Sequence, residues 1–286
     1  MYNKAFCFDS DVDDLSIQAY IWEATEPKAV VVISHGAAEH ALRYERFARV
    51  LNAAAIETWA VDHRGHGQSP GPEGFGDFGK GGWNGLVDDI EQFIGIARKA
   101  RPNLPVVLFG HSMGSAAAQQ YVLDRSHTID ALILSGSSAR MAPREGEERA
   151  QRSNQNRTFE GRTNYDWLSR DQAEVDKYIA DPLCGFDSAG GARIRANMAS
   201  RRSSGGREAL KNIRCDLPCL FVAGDKDPIN NNLEGLYLLE KLWREAGVQR
   251  IDRQYYEGGR HEMLNEINRD EVTRNIINWI ADVFKL

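Results

Sequence analysis

Pro105-Val106-Val107-Leu108-Phe109-Gly110-His111-Ser112-Met113-Gly114-Ser115-Ala116-Ala117-Ala118-Gln119-Gln120-Tyr121 decides the architecture. An apolar run leads into a G-x-S-x-G pentapeptide, and small residues open the segment that follows. That order predicts a buried strand, a sharp turn and a helix, with one serine hydroxyl raised at the C-terminal edge of a sheet. Such a turn needs small residues two positions either side of the serine, because its backbone is strained and its helix packs close. Gly110 and Gly114 meet that need. The pentapeptide alone occurs by chance; between a strand and a helix it is specific.

Outward from this elbow, strand and helix signals alternate. Ile17 to Trp22 reads as an early strand, and Ala29 to Ser34 as a continuous β-branched run suited to burial on both faces. Tyr44 to Ala55 carries apolar residues at helical spacing, Ile56 to Val61 is a strand, Asp62 to Gly82 is turn-rich, and Trp83 to Arg98 is helical. After the elbow helix, to Leu123, Ile129 to Leu134 is the next strand. The alternation stops from about Met141 to about Ile213, where the chain is polar, charged and helix-like. It resumes with the strand Leu217 to Ala223, the helix Leu233 to Ala246, the strand Gln249 to Tyr256 and the helix Glu271 to Phe284. The expected fold class is α/β: a mostly parallel central sheet flanked by helices. The core is expected over 1–137 and 214–286, with a helical cap, or lid, inserted over 138–213 at the sheet edge where open α/β folds bind ligands.

The 286 residues suffice for a core of this size without disulfide or metal staples. A net charge of −6 and the lack of a basic, aromatic-interleaved stripe argue against nucleic acid as partner. Apolar runs such as Ala29 to Ile33 are far too short to span a bilayer. The acidic N-terminal stretch (Asp9, Asp11, Asp13, Asp14) does not read as a secretory peptide. The expectation is a soluble, cytoplasmic protein with at most peripheral membrane contact. Cys7, Cys184, Cys215 and Cys219 have no metal-ligand spacing and read as free thiols. His63 and His66 have no third ligand at hand, so no metal site is expected there.

A serine hydroxyl needs a base to take its proton. On this architecture the partners follow in the order serine, acid, histidine. Only His127 and His261 follow Ser112, and His127 has no acid placed before it. His261, in the loop after the strand Gln249 to Tyr256, is the expected base. The acid should follow the strand that ends at Ala223. Asp227 is preferred because Pro228 stiffens its loop, but order does not separate it from Asp225, which could cap the turn. Oxyanion donors are expected from the backbone amides of Met113 and of Ala37, where Gly36 lets the loop turn its amides inward.

These pieces resemble the α/β-hydrolase superfamily, and within it the monoacylglycerol lipase and lysophospholipase group often classed with serine aminopeptidases. The resembling stretches are His35-Gly36-Ala37-Ala38-Glu39-His40-Ala41-Leu42-Arg43-Tyr44, Asp62-His63-Arg64-Gly65-His66-Gly67-Gln68-Ser69, Gly110 to Gly114, Gly224 to Asp227, and His261-Glu262-Met263-Leu264-Asn265-Glu266. Similar text recurs at Asp166 to Arg170 and Asp181 to Phe186. The resemblance implies carboxylic-ester hydrolysis through an acyl-enzyme. It carries the nucleophile to Ser112, the acid to Asp227, the base to His261 and the oxyanion amides to Ala37 and Met113. It implies no cofactor, and a small-molecule ester or lipid substrate: monoacylglycerol, lysophospholipid or a short-chain ester. Residues matching Glu39 and Arg43 shape the alcohol end of the site in that group, although the pair reads first as a salt bridge holding the oxyanion loop. Leu264 replaces a polar residue of some monoacylglycerol lipases, and the charged stretch Met141 to Arg152 offers little apolar surface to lipid.

Phe159, Tyr165, Trp167 and Tyr178 are expected either to touch an acyl chain or to anchor the cap. A prolyl-aminopeptidase-like peptidase is the alternative enzyme, with Glu145, Glu147, Glu148 or Glu160 supplying an amine pocket. A non-catalytic binding protein on the same fold would be expected to lack part of the triad.

Overall fold

The computed structural model describes residues 2–139, 161–199 and 206–286. Eight strands form one sheet: β1 Lys4–Asp9, β2 Ser16–Trp22, β3 Ala29–Ser34, β4 Ile56–Val61, β5 Val106–His111, β6 Ala131–Ser135, β7 Cys219–Gly224 and β8 Ile251–Tyr256. Their order is β1-β2-β4-β3-β5-β6-β7-β8. The β1–β2 and β2–β4 pairs are antiparallel, and every other pair is parallel.

The helices are α1 Glu45–Ala53, α2 Gly82–Ala100, α3 Met113–Arg125, α4 Gln172–Ala180, α5 Ser188–Ala199, α6 Gly206–Ala209, α7 Glu234–Glu245 and α8 Arg269–Phe284. The continuous apolar strands follow from burial on both faces. In β3, Val30 and Val32 join the core under α2, α3 and α7, whereas Val31 and Ile33 join the core under α1 and α8. In β5, Val106 and Leu108 face the first core, and Val107 and Phe109 the second.

β1 is an element the sequence reading did not anticipate. It lies at the sheet edge and its alternate residues are exposed, so it has no continuous apolar run. Its inward residues pack aromatically: Phe8 stacks on Phe93 at 5.9 Å, and Phe6 meets Trp59 edge-on at 6.4 Å.

The sheet order places a topological switch between β3 and β5. From β3 the chain moves one way to β4, then crosses back to β5 on the other side. Loops leaving adjacent parallel strands in opposite directions open a crevice at their carboxyl ends. The loop after β3 and the elbow after β5 flank that crevice. Between β6 and β7 come α4, α5 and α6; α5 packs on the turn-rich loop, where Arg193 Nη1 donates to the Phe75 carbonyl at 2.9 Å. Among the described residues no helix is long and apolar enough to cross a membrane.

Candidate active site

Ser112 lies between the end of β5 and the start of α3, at φ 51° and ψ −110°. A non-glycine residue there is strained by roughly 1–3 kcal/mol and persists only under constraint from its surroundings. The constraint is visible. Ser112 N donates to the Ser135 carbonyl of β6 at 2.9 Å, while its own carbonyl accepts from Ser115 Oγ at 2.6 Å and Ala116 N at 3.1 Å. A Cβ at Gly110 would stand 2.7 Å from the Gly114 carbonyl oxygen, and one at Gly114 only 2.0 Å from that of Ser34. Both glycines are thus required by close backbone approach.

His261 Nδ1 meets Asp227 Oδ2 at 2.9 Å, and both side chains are buried. Asp227 Oδ1 also accepts from Ile229 N at 2.8 Å. Asp225, the alternative acid, takes Gly258 N at 2.8 Å instead and holds the turn that leads to the histidine. Asp227 therefore faces the ring and Asp225 braces its loop. His261 Nε2 is buried with no hydrogen-bond partner among the described residues. The ring packs 4.8 Å from that of His111, the residue before Ser112. Gly136 fits between these two rings: a Cβ there would lie 2.8 Å from His261 Cε1 and 2.9 Å from His111 Cε1.

The loop after β3 approaches from the opposite side. A Cβ on Gly36 would stand 3.3 Å from Ser112 Cβ. Ala37 follows Gly36, and Ala38 adopts a left-handed φ of 55°. Met113 is the first residue of α3, where an amide has no acceptor within the helix.

Glu39 and Arg43 are committed to one another and to the loops. Arg43 Nη1 donates to Glu39 Oε2 at 2.6 Å, and the same guanidinium grips both oxygens of Glu262 at 2.8 and 2.7 Å. Glu39 Oε1 takes Gly36 N at 2.5 Å and Tyr44 Oη at 2.9 Å. One largely buried cation thus ties the loop after β3 to the residue after His261. Burial is the largest influence and pushes the Glu39 and Glu262 carboxyls up, but the Arg43 charge and the hydrogen bonds these groups accept together hold both below the ordinary carboxylate value. Leu264 lines a small cavity beside Glu39, Arg43, His111 and Glu262.

Four histidines near the site are held neutral, chiefly by burial. His66 and His111 are pushed down to about 4, and His35 and His63 fall well below the ordinary imidazole value. His63 and His66 make no metal cluster among the described residues; the one three-ligand group there is His40, Asp181 and Cys184. Two of its donor atoms are spent on each other, His40 Nε2 on Asp181 Oδ2 at 2.8 Å.

The segment between β6 and β7 also reaches the histidine loop. The Trp167 ring lies tilted at 40° to the His261 ring, centroids 4.9 Å apart; the Trp167 carbonyl accepts from His261 N at 3.4 Å, and that of Leu168 accepts from Glu262 N at 2.8 Å. Sequence reasoning gave Glu262 and Asp181 no role in positioning, their only signal being that they lie in text quoted for the family resemblance, and it took Tyr178 only as an acyl contact or a cap anchor. Phe159, the Met141 to Arg152 stretch and the glutamates considered for an amine pocket (Glu145, Glu147, Glu148, Glu160) lie outside the described residues.

Residues 25–268 match the family described as "Serine aminopeptidase, S33". The chain is 32% identical to the monoglyceride lipase of Homo sapiens over 280 residues, covering 91% of this chain and 83% of that protein. It is 30% identical to a monoacylglycerol lipase of Mycolicibacterium smegmatis, covering 90% and 89%. A thermostable carboxyl esterase from Bacillus coagulans, solved in complex with glycerol, superposes with a TM-score of 0.86 at 26% identity over 99% of both chains. With that sheet, that elbow and these relatives, the chain belongs to the α/β-hydrolase superfamily, in the serine aminopeptidase S33 family that it shares with the monoglyceride lipases.

Proposed function

We propose that this chain is a serine carboxylic-ester hydrolase working through an acyl-enzyme, with Ser112 as nucleophile, His261 as base and Asp227 as its orienting acid. The observation that carries the reading is the buried His261 ring, with Nδ1 on Asp227 and Nε2 unpartnered among the described residues, packed beside the residue that precedes the strained elbow serine.

Nε2 takes the Ser112 proton as the serine oxygen attacks the ester carbonyl. Asp227 holds the Nδ1–H tautomer and stabilises the imidazolium. The developing oxyanion is received by the amides of Met113 and Ala37; losing one such donor costs roughly a hundred- to a thousand-fold in rate. His261 then hands its proton to the departing alcohol. Water, deprotonated by His261, attacks the acyl-serine; the acyl–Oγ bond breaks, the Ser112 oxygen takes the proton back from His261, and the acid is released. No step calls for a metal or organic cofactor.

Monoacylglycerol, lysophospholipid or short-chain esters are the proposed substrates. The monoglyceride and monoacylglycerol lipase names of the relatives, and the glycerol bound to the related esterase, support an alcohol of glycerol type. The cavity bounded by Glu39, Arg43 and Leu264 is the proposed alcohol end, with the two charged groups acting as a frame because each is already paired. The test is a substrate panel: p-nitrophenyl acyl esters and monoacylglycerols should be cleaved far faster than proline anilides. A preference for proline anilides would overturn the esterase reading in favour of a peptidase.

A further inference from the structure

Ala38 is the most conspicuous strain in the oxyanion loop. Its left-handed φ of 55° is one that an alanine adopts only under constraint. Part of that constraint comes from the far side of the crevice. The Ala38 carbonyl accepts from Tyr178 Oη at 2.9 Å and from Gly185 N at 3.0 Å, and Gly185 N also reaches Tyr178 Oη at 3.2 Å. Two residues on, His40 is tied through Nε2 to Asp181 Oδ2 at 2.8 Å. Asp181 Oδ1 in turn takes Leu183 N at 2.9 Å, which shapes the turn that delivers Gly185. The Tyr178 ring is buried, and the Arg43 guanidinium lies over it, 4.8 Å from the ring centroid.

From this juxtaposition, and resting on the ester-hydrolase reading above, we propose that Tyr178, with the Asp181–Gly185 turn, is a positioning residue: it fixes the Ala38 carbonyl and so aims the preceding Ala37 amide at the oxyanion. The described part of the segment between β6 and β7 thereby shapes the loop after β3. An amide aimed at the oxyanion is worth most in the transition state, so its misplacement lowers kcat and leaves KM nearly unchanged.

The experiment compares Tyr178→Phe, which keeps the ring and its contact with Arg43, with wild type on a p-nitrophenyl acyl ester. A fall in kcat of about ten- to a hundred-fold is expected, with KM within about twofold. Affinity for an alkyl trifluoromethyl ketone, whose serine adduct carries the oxyanion, should weaken in parallel, and affinity for the matching fatty acid should not. Asp181→Ala provides an independent second variant on the same loop and should lose kcat, whereas Asp181→Asn, which keeps an acceptor for His40, should recover most of it. Unchanged kcat in both Tyr178→Phe and Asp181→Ala would overturn the inference, as would a loss confined to KM. It would also be overturned if activity fell only in step with thermal stability while trifluoromethyl ketone affinity stayed constant. Wild-type protein that hydrolyses no ester would instead sink the ester-hydrolase reading, so the two failures are distinct.

Discussion

The serine elbow and the two loops that face it are held in place by different means. At the elbow, backbone fixes backbone: Ser112 is bonded to Ser135 of the neighbouring strand, and Gly110 and Gly114 permit contacts that no side chain would fit. The loop that carries His261 and the loop after β3 are held by side chains. Arg43 bridges Glu39 and Glu262, and Asp227 orients His261. The proposed nucleophile is therefore built into the sheet, while its proposed partners depend on a few largely buried ion pairs that single substitutions can remove.

The sharpest way to break that comparison is at the acid. Asp227→Asn should lower kcat by about 10⁴-fold, because the amide favours the wrong histidine tautomer. Asp225→Asn should cost less than about tenfold, since Asp225 braces the loop through a hydrogen bond that an amide oxygen can still accept. Steady-state kinetics on one ester decides between them; equal losses would mean that the geometry assigns the wrong carboxylate.

The next effect should fall on the ion-pair bridge. Arg43→Ala leaves Glu39 and Glu262 buried without their cation, so unfolding free energy should drop by about 3–5 kcal/mol in a denaturant titration. Adding Glu262→Gln should restore part of the loss. A double variant no better than the single would show that the charge of Glu262 is not what Arg43 neutralises.

The smallest effect per residue is pH-dependent and reaches the elbow itself through His111. Burial lowers His66 and His111 from the ordinary 6.5 to about 4. The unfolded chain takes up these protons as pH falls through 6.5, and the fold resists them until about 4, so stability declines within that window and is unaffected above it. Near pH 5 each histidine should cost about 2 kcal/mol. Glu39 and Glu262, held below their ordinary 4.5, stabilise the fold above that pH and lose that contribution only as pH falls below it. A denaturation midpoint that stays flat from pH 7 to 5 would show that these rings are not held neutral by the fold.

What could be read from the sequence follows the same division. The elbow was legible because a strand, two close-approach glycines and a helix lie in one contiguous stretch. The parallel strands were legible because two-sided burial makes them continuously apolar. β1 was missed because an edge strand buries only alternate residues, here Phe6 and Phe8 among Lys4, Cys7 and Asp9. The start of α4 carries a readable cap, Asp171 accepting from the Ala173 and Glu174 amides, but the charged surroundings obscured it. The links made by Arg43, Tyr178 and Asp181 join loops far apart in the chain, and no local period encodes them. Chain order did not separate Asp227 from Asp225; the family resemblance pointed to Asp227, and in the folded loop it is Asp227 that meets His261.

Covalent labelling tests the central claim most directly. A fluorophosphonate should add once to the native protein, on the peptide that contains Ser112, and peptide mass spectrometry should find no adduct on Ser112→Ala. Native wild-type protein that stays unlabelled, or a label that persists in Ser112→Ala, would contradict the account.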